Sequence, residues 1–245
     1  MSTIDAKGVY YRELNAKVRE AVEKGDKEII LKNVNGQYYI GDGIRKKVNI
    51  TVEGVPGNDL AAFMDGPELR IKANAQDNIA NTMNSGKVIV EGNAGDVLGY
   101  GMRGGKLHVR GSVGYRVGIH MKGYKKQVPV VIVGGSAGDF FGEYMAGGVL
   151  ILLGLDLKAN EAIVGDYLGT GMHGGVIYVR GDIDKDLCGA EVGIMATDEE
   201  DDKLLKEYLE DYCKDFGLNL ADVMKKPFKK LLPVSQRPYG NLYAY

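Results

Sequence analysis

The sequence predicts an all-β fold, a parallel β-helix of about six to seven coils with helical caps at both ends, and three observations lead there. First, one sentence of sequence is written six times between Gly54 and Gly181, in register on Met64, Met83, Met102, Met121, Met145 and Met172, at intervals of 19, 19, 19, 24 and 27 residues. Second, the copies share columns. Six residues before each Met stands Asn58, Asp77, Asp96, Tyr115, Asp139 or Asp166. Four before it is an apolar residue (Leu60, Ile79, Leu98, Val117, Phe141 or Leu168), and three before it a small one (Ala61, Ala80, Gly99, Gly118, Gly142 or Gly169). Third, in most copies the Met is followed by one or two glycines and then an alternating apolar run that ends in glycine, as in Gly104-Gly105-Lys106-Leu107-His108-Val109-Arg110-Gly111. A fixed period of this length is the mark of a repeat architecture.

An extended 19-mer is about 60 Å long, enough to close a loop of two or three short strands with glycine corners. Stacking such loops at about 4.8 Å pairs every strand with the coil above and below. A leucine-rich repeat would need a fixed Leu and Asn ladder, and a left-handed hexapeptide helix a six-residue apolar period; neither is present.

In chain order, Leu14, Val18, Ala21 and Val22 recur at helical spacing before Gly25, so Arg12 to Lys24 reads as an amphipathic helix with a glycine stop. Three strands follow, Glu28 to Val34, Gln37 to Ile40 and Lys46 to Glu53, separated by Asn35-Gly36 and Gly41-Asp42-Gly43. They form either a hairpin or a first, atypical coil. The array proper then runs over residues 54–195, after an N-terminal capping segment of residues 1–53. From Thr197-Asp198-Glu199-Glu200 an acidic helix begins, with Leu204, Leu205, Tyr208, Leu209, Tyr212 and Phe216 on its apolar side and Gly217 at its end. Residues 196–245 are thus read as a capping helix and a tail, the tail beginning at Phe228. Repeat stacks need atypical ends, and the two helices are placed to cover them.

Composition narrows function. Net charge is -2 with a pI near 6.0, which gives no footprint for nucleic acid or an anionic membrane. Two cysteines, Cys188 and Cys213, make neither a disulfide framework nor a metal spacing. The start of the chain lacks an apolar signal core, and runs such as Val130 to Val133 and Val149 to Leu153 are too short to span a bilayer. The expectation is a soluble, cytoplasmic protein.

The repeat columns read as packing. Met suits a stacked core column because it is unbranched and fills irregular gaps. Carboxylates about 5 Å apart repel by roughly 1 kcal/mol in water, so the Asp column reads as turn caps beside glycines rather than as an ion path. His108 alternates with Leu107 and Val109 and so faces outward, while His120 and His173 flank a Met from opposite sides. No Cys/His set, nucleophile elbow or phosphate loop is present, since a lone Gly99-Tyr100-Gly101 or Gly169-Thr170-Gly171 is a repeat corner. No catalytic, cofactor-binding or metal-binding residue is therefore assigned.

The copies Gly138-Asp139-Phe140-Phe141-Gly142-Glu143-Tyr144-Met145-Ala146-Gly147-Gly148 and Gly165-Asp166-Tyr167-Leu168-Gly169-Thr170-Gly171-Met172-His173-Gly174-Gly175 resemble the G-x-G-x-G domain at the C-terminal end of the glutamate synthase large subunit. The similarity covers roughly residues 5–195. It extends to the C subunit of formylmethanofuran dehydrogenase, which uses the same repeat. The resemblance implies a single-stranded right-handed β-helix that acts as a scaffold, with the flavin, iron-sulfur cluster and glutamine-hydrolysing nucleophile on other chains. The expected role is a stand-alone, non-catalytic domain of a glutamate synthase divided over several genes, as happens in archaea. Its flavin-binding and amidotransferase subunits would be the partners. A formylmethanofuran-type subunit is the alternative, a carbohydrate-acting β-helix is another, and self-association stays open.

Contact surfaces are expected where the period stretches. The interval grows by five after Met121, at Lys122-Gly123-Tyr124-Lys125-Lys126-Gln127, and by eight after Met145, through Leu155 to Ala162. The tail from Leu231 to Tyr245, with Arg237, Pro238, Tyr239, Leu242, Tyr243 and Tyr245, is the third candidate.

Overall fold

A computed structural model describes residues 1–158 and 161–234. One sheet of 11 strands forms a β-solenoid, in the spatial order β1-β2-β3-β4-β5-β6-β7-β8-β9-β11-β10. The strands are β1 (Ser2–Asp5), β2 (Glu28–Asn35), β3 (Asn49–Val55), β4 (Asp65–Ile71), β5 (Ser85–Val90), β6 (Lys106–Val109), β7 (Val130–Val133), β8 (Ala146–Leu152), β9 (Gly174–Arg180), β10 (Val192–Ala196) and β11 (Phe228–Pro233). Those from β1 to β9 pair in parallel, each with the next, while β11 joins β9 and β10 with both pairings antiparallel.

Pairing keeps its register across the long intervals. Lys87 faces Lys106, Lys106 faces Val130, Val130 faces Val149 and Val149 faces Val176. The extra residues are therefore looped out, one set ahead of β7 and the other after β8. The inner perimeter is set by the stack, so a coil absorbs insertions only outward.

The interior is a ladder of like on like. All six repeat Met residues are buried, together with the apolar column from Leu60 to Leu168. The Met methyl groups reach into the next coil. A β-carbon at Gly86 would stand 3.1 Å from Met64 Cε, one at Gly105 2.7 Å from Met83 Cε, and one at Gly148 2.9 Å from Met121 Cε. The glycine three residues after Met83, Met102, Met145 and Met172 is thus the space that the Met of the coil below fills.

The lead-in is a coil rather than a hairpin. Gln37–Ile40, expected as a strand, has no strand pairing. Its Ile40 carbonyl accepts from Ala61 N–H and the Ile44 carbonyl from Asp65 N–H. These bonds place Ile40 under Leu60 and Ile44 under Met64, so one coil precedes the first Met copy with Ile at the Met position. Helix α1 (Tyr11–Glu23) buries Leu14, Val18, Ala21 and Val22 against the same interior cluster. It is tied to this coil by Asn15 Nδ2 to the Tyr38 carbonyl and Arg19 Nη2 to the Asp42 carbonyl, both 2.8 Å.

Helix α2 (Glu199–Phe216) has the expected ends. Asp198 and Asp201 form a reciprocal capping box, four acidic residues fill the first turn, and Gly217 closes it in the left-handed conformation. Its position corrects the expectation of a lid on the end of the stack. Tyr178 of β9 bonds Asp201, the Tyr212 hydroxyl donates to the Val109 carbonyl of β6, and Arg70 of β4 meets Asp215. The helix thus lies lengthwise on the outward face of the sheet and runs back along the stack. Eighteen residues at 1.5 Å give about 27 Å, close to the roughly 24 Å spanned by five strand spacings. The chain returns through α3 (Leu220–Val223) to β11. Phe228–Pro233, read from sequence as the start of a tail, is therefore the strand that joins the parallel stack to β10, and its Leu231 is fully buried. Arg237, Pro238, Tyr239, Leu242, Tyr243 and Tyr245 lie outside the described residues.

Candidate interaction surface

The six-before-Met column bonds along the stack. Asp77 Oδ1 accepts from Asp96 N–H at 2.9 Å, Asp96 Oδ1 from Tyr115 N–H at 2.9 Å, and Asp139 Oδ1 from Asp166 N–H at 2.9 Å. Asn58 begins the series with a longer bond, 3.4 Å, to Asp77 N–H. This corrects the turn-cap reading, because each carboxylate serves the next coil rather than its own turn. At these corners the N–H points along the stack axis, and only a side chain from the coil below can meet it. The carboxylate occupies the place of a β-carbon on the following Gly95, Gly114 or Gly165, which explains the glycine before Asp96, Tyr115 and Asp166. A second ladder, Asn74 to Asn93 to Ser112 to Ser136, does the same at another corner and went unread in the sequence.

His108 points away from the interior as alternation requires, yet it is fully buried beneath α2. Its Nδ1 lies 2.7 Å from Asp215 Oδ2, its ring meets Tyr212 edge-on at 5.5 Å, and its Nε2 has no hydrogen-bond partner. Around it, Lys87 Nζ contacts Asp215 at 2.6 Å and Asp211 at 2.8 Å, and Lys106 Nζ contacts Asp211 at 2.6 Å. Burial raises the Asp211 carboxyl, but hydrogen bonds from Lys106 and Lys87 outweigh it and bring the pKa down to about 2. Burial likewise works against Asp215, which His108 and Lys87 hold below the ordinary range. For His108 itself burial dominates and drives the pKa down despite the Asp215 bond.

The same outward face turns apolar toward the other end. Val130, Ile132, Val149, Ile151, Leu153 and Tyr178 form a second core with Leu205, Leu209, Tyr212 and Cys213. The signal for this was legible. Val130–Val133 and Val149–Leu153 are apolar at consecutive positions, which marks strands buried on both faces, whereas β4 and β6 carry charge on the outward side.

The Met121 insertion is a tight hairpin. Tyr124 and Gln127 exchange backbone hydrogen bonds, and Lys125 and Lys126 form the tip. Tyr124 stays 49% exposed and Lys125 Nζ sits 5.2 Å from its ring centre. The other insertion is held to the flank by Arg110 and Asp156 at 2.6 Å, with Leu155 against the second core.

The corner ahead of the Met column carries stacked rings in its later coils. His120 lies edge-on to Tyr100 at 5.8 Å and stacks on Tyr144 at 5.4 Å; Phe140 stacks on Tyr167 at 4.9 Å. Arg116 sits 4.4 Å over the Phe140 ring and pairs with Glu143 at 3.0 Å. His173 turns elsewhere, its Nδ1 lying 3.3 Å from the Gly171 carbonyl, so the three histidines occupy three separate settings.

Among the described residues no three His, Cys, Asp or Glu side chains come together to hold a metal ion. No described helix is long and apolar enough to cross a membrane. The fold and surface define a β-solenoid repeat protein, in which the elaborated parts are outward loops, a strapped flank and an aromatic corner. A model of the GXGXG motif family matches residues 12–235, most of the chain, and the chain belongs to that family. An uncharacterized protein of Methanocaldococcus jannaschii, MJ1350, is 49% identical over 250 residues, spanning 98% of this chain and 95% of its own length. In the formyltransferase/hydrolase complex of Methylorubrum extorquens, solved with methylofuran, one chain superposes with a TM-score of 0.65. That match covers 93% of this chain and 89% of the other at 19% identity, a likeness of fold.

Proposed function

We propose that this chain is a non-catalytic structural subunit of a multi-subunit enzyme complex, of the formyltransferase/hydrolase type. The observation that carries the reading is the extent of the likeness. Nearly the whole of this β-helix superposes on nearly the whole of one chain of a four-component complex. The chemistry agrees, since the repeat columns go to packing and to ladders along the stack, leaving loops and corners for contact. The subunit works in the cytoplasm and positions catalytic chains without supplying a reacting group.

A second reading, a domain of a divided glutamate synthase, is supported by the two G-x-G-x-G copies at Gly138 to Gly148 and Gly165 to Gly175. Native purification of the chain from its own cells, with mass spectrometry of stoichiometric partners, separates the two. Co-elution with formyl-transferring and hydrolytic subunits is the expected result. Co-elution with flavin-binding and amidotransferase subunits would move the chain to glutamate synthase. Isolation of the chain alone, in the absence of any partner at matching stoichiometry, would overturn the subunit reading.

A further inference from the structure

The corner formed by residues 96–103, 115–126, 139–144 and 166–167 carries more than the fold asks of it. At each coil the same three backbone positions adopt the left-handed region. Asn78 and Thr82 have φ 62° and 52°, Arg116 and His120 have 55° and 54°, and Phe140 and Tyr144 have 61° and 50°. The coil of Met83 builds this corner with Asn78, Ala80 and Thr82, and the coil of Met64 carries a single ring, Phe63, so the backbone does not require a row of rings there. In the later coils the same columns become Arg116 and His120, then Phe140 and Tyr144, then Tyr167, and Tyr100, one residue before the His120 column in its own coil, lies against His120. Despite their ring contacts with His120 and Phe140, Tyr100, Tyr144 and Tyr167 remain 40%, 41% and 55% exposed, and Tyr115 is 50% exposed. Tyrosine and arginine in a contiguous exposed ridge is the composition of an interface centre rather than of a solvated corner.

Charge on the two sides of the ridge decides the kind of partner. Just past the Met column stand Arg103 and Lys122 in successive coils, followed by the hairpin tip Lys125 and Lys126. On the opposite side runs the acidic column Asp77, Asp96, Asp139 and Asp166, of which the first three each use one oxygen on the next coil. A polyanion such as nucleic acid would gain from the first side and be repelled by the second, with only a few cations to hold it. A protein face meets both signs at once, and such complementarity fixes orientation and speeds encounter.

We propose that this corner is the docking surface for a partner protein subunit, one whose contacting face is acidic opposite Lys125 and Lys126, basic opposite Asp139 and Asp166, and apolar between. This rests on the subunit reading above and adds the surface to it. The partner closes over the ridge of Tyr100, His120 and Tyr144, with the hairpin as the electrostatic guide.

The test uses the full chain in its native complex. A photo-crosslinking amino acid is placed at Tyr144, at Tyr167 and, as control, at Phe63, which occupies the Tyr144 column in an early coil and is 55% exposed. The expected result is crosslinking of one stoichiometric partner from Tyr144 and Tyr167 and none from Phe63. Lys125→Glu with Lys126→Glu should weaken capture of that partner at least tenfold at low salt with an unchanged melting temperature. The hairpin tip is solvent-facing, and Tyr167→Ser serves as a second variant of different chemistry. If the complex forms undiminished in both variants and only Phe63 crosslinks, the docking assignment is overturned while the subunit reading stands. If the wild-type chain captures no stoichiometric partner, both fall. Retention of nucleic acid on this corner that Lys125→Glu and Lys126→Glu abolish would replace the protein partner with a polyanion and also overturn the proposal.

Discussion

Met83 Cε lies 2.7 Å from the point where a β-carbon on Gly105 would stand, one coil further along the stack. The same point is 2.7 Å from the Gly86 carbonyl oxygen, and Gly105 has φ +80°. A flexible methionine tip could yield, but the backbone oxygen cannot, and the φ adds strain for any L side chain. Gly105→Ala is expected to lower stability by about 3 kcal/mol. Gly181→Ala provides the contrast, since Gly181 has φ +96° with nothing within 4 Å, so only strain of about 1 kcal/mol should appear. Denaturant unfolding of the two variants checks the order.

The Asp77 carboxylate is expected to couple to Gly95. Asp77→Ala removes the acceptor of the Asp96 N–H and should cost about 1 kcal/mol. Gly95→Ala alone forces a β-carbon into the Asp77 carboxylate and should cost more, whereas in the Asp77→Ala background that space is free. A double-mutant cycle should therefore give a favourable coupling of about 1 kcal/mol or more. Additive losses would show that the carboxylate and the glycine are not matched.

Asp215 holds the far end of α2 against the sheet. Its side chain is 9% exposed and meets Arg70, Lys87 and His108, of which Lys87 is 16% exposed. Asp215→Ala leaves Lys87 with Asp211, Arg70 with Glu91 and His108 Nδ1 without its partner, and after allowance for partial contact with water the loss should be about 2 kcal/mol. The loss should be local. Amide hydrogen exchange is expected to rise in the second half of α2 and to stay unchanged in β4 to β6.

Acid should destabilise the fold in two windows. His108 has a depressed pKa in the folded chain because it is buried, so the folded state binds fewer protons than the unfolded state between its lowered value and the ordinary 6.5. Its contribution is full above about pH 6.5 and is lost as pH falls through that range. Asp211 is held at about 2, so its contribution is full above its ordinary 3.8 and is lost as pH falls toward 2. Melting temperatures from pH 8 down to pH 3 should fall first near pH 6. The variant His108→Leu should lack that first step and keep the second.

How much of this was legible in the sequence follows from what each residue has to match. The 19-residue period, the Met column and the coil stack were readable because every coil meets a nearly identical neighbour, so a single inward slot imposes the same residue type repeatedly. The ends of α2 were readable for a related reason, since Asp198 and Gly217 act on backbone groups within a few residues. The placement of α2 was not. An amphipathic helix announces one apolar face but not the surface it will cover. What decides the surface is the match of Asp211 and Asp215 with Lys87, Lys106 and His108, residues more than a hundred positions away that share a face only once strand register is fixed. The Asp ladder shows the same division. The column was visible in the sequence, but its partner depends on the direction of an N–H at the corner, which the stacked backbone alone sets. The aromatic ridge likewise required the coils to be superposed, because Tyr100, His120 and Tyr144 stand 20 and 24 residues apart in the chain and become neighbours only in the folded stack.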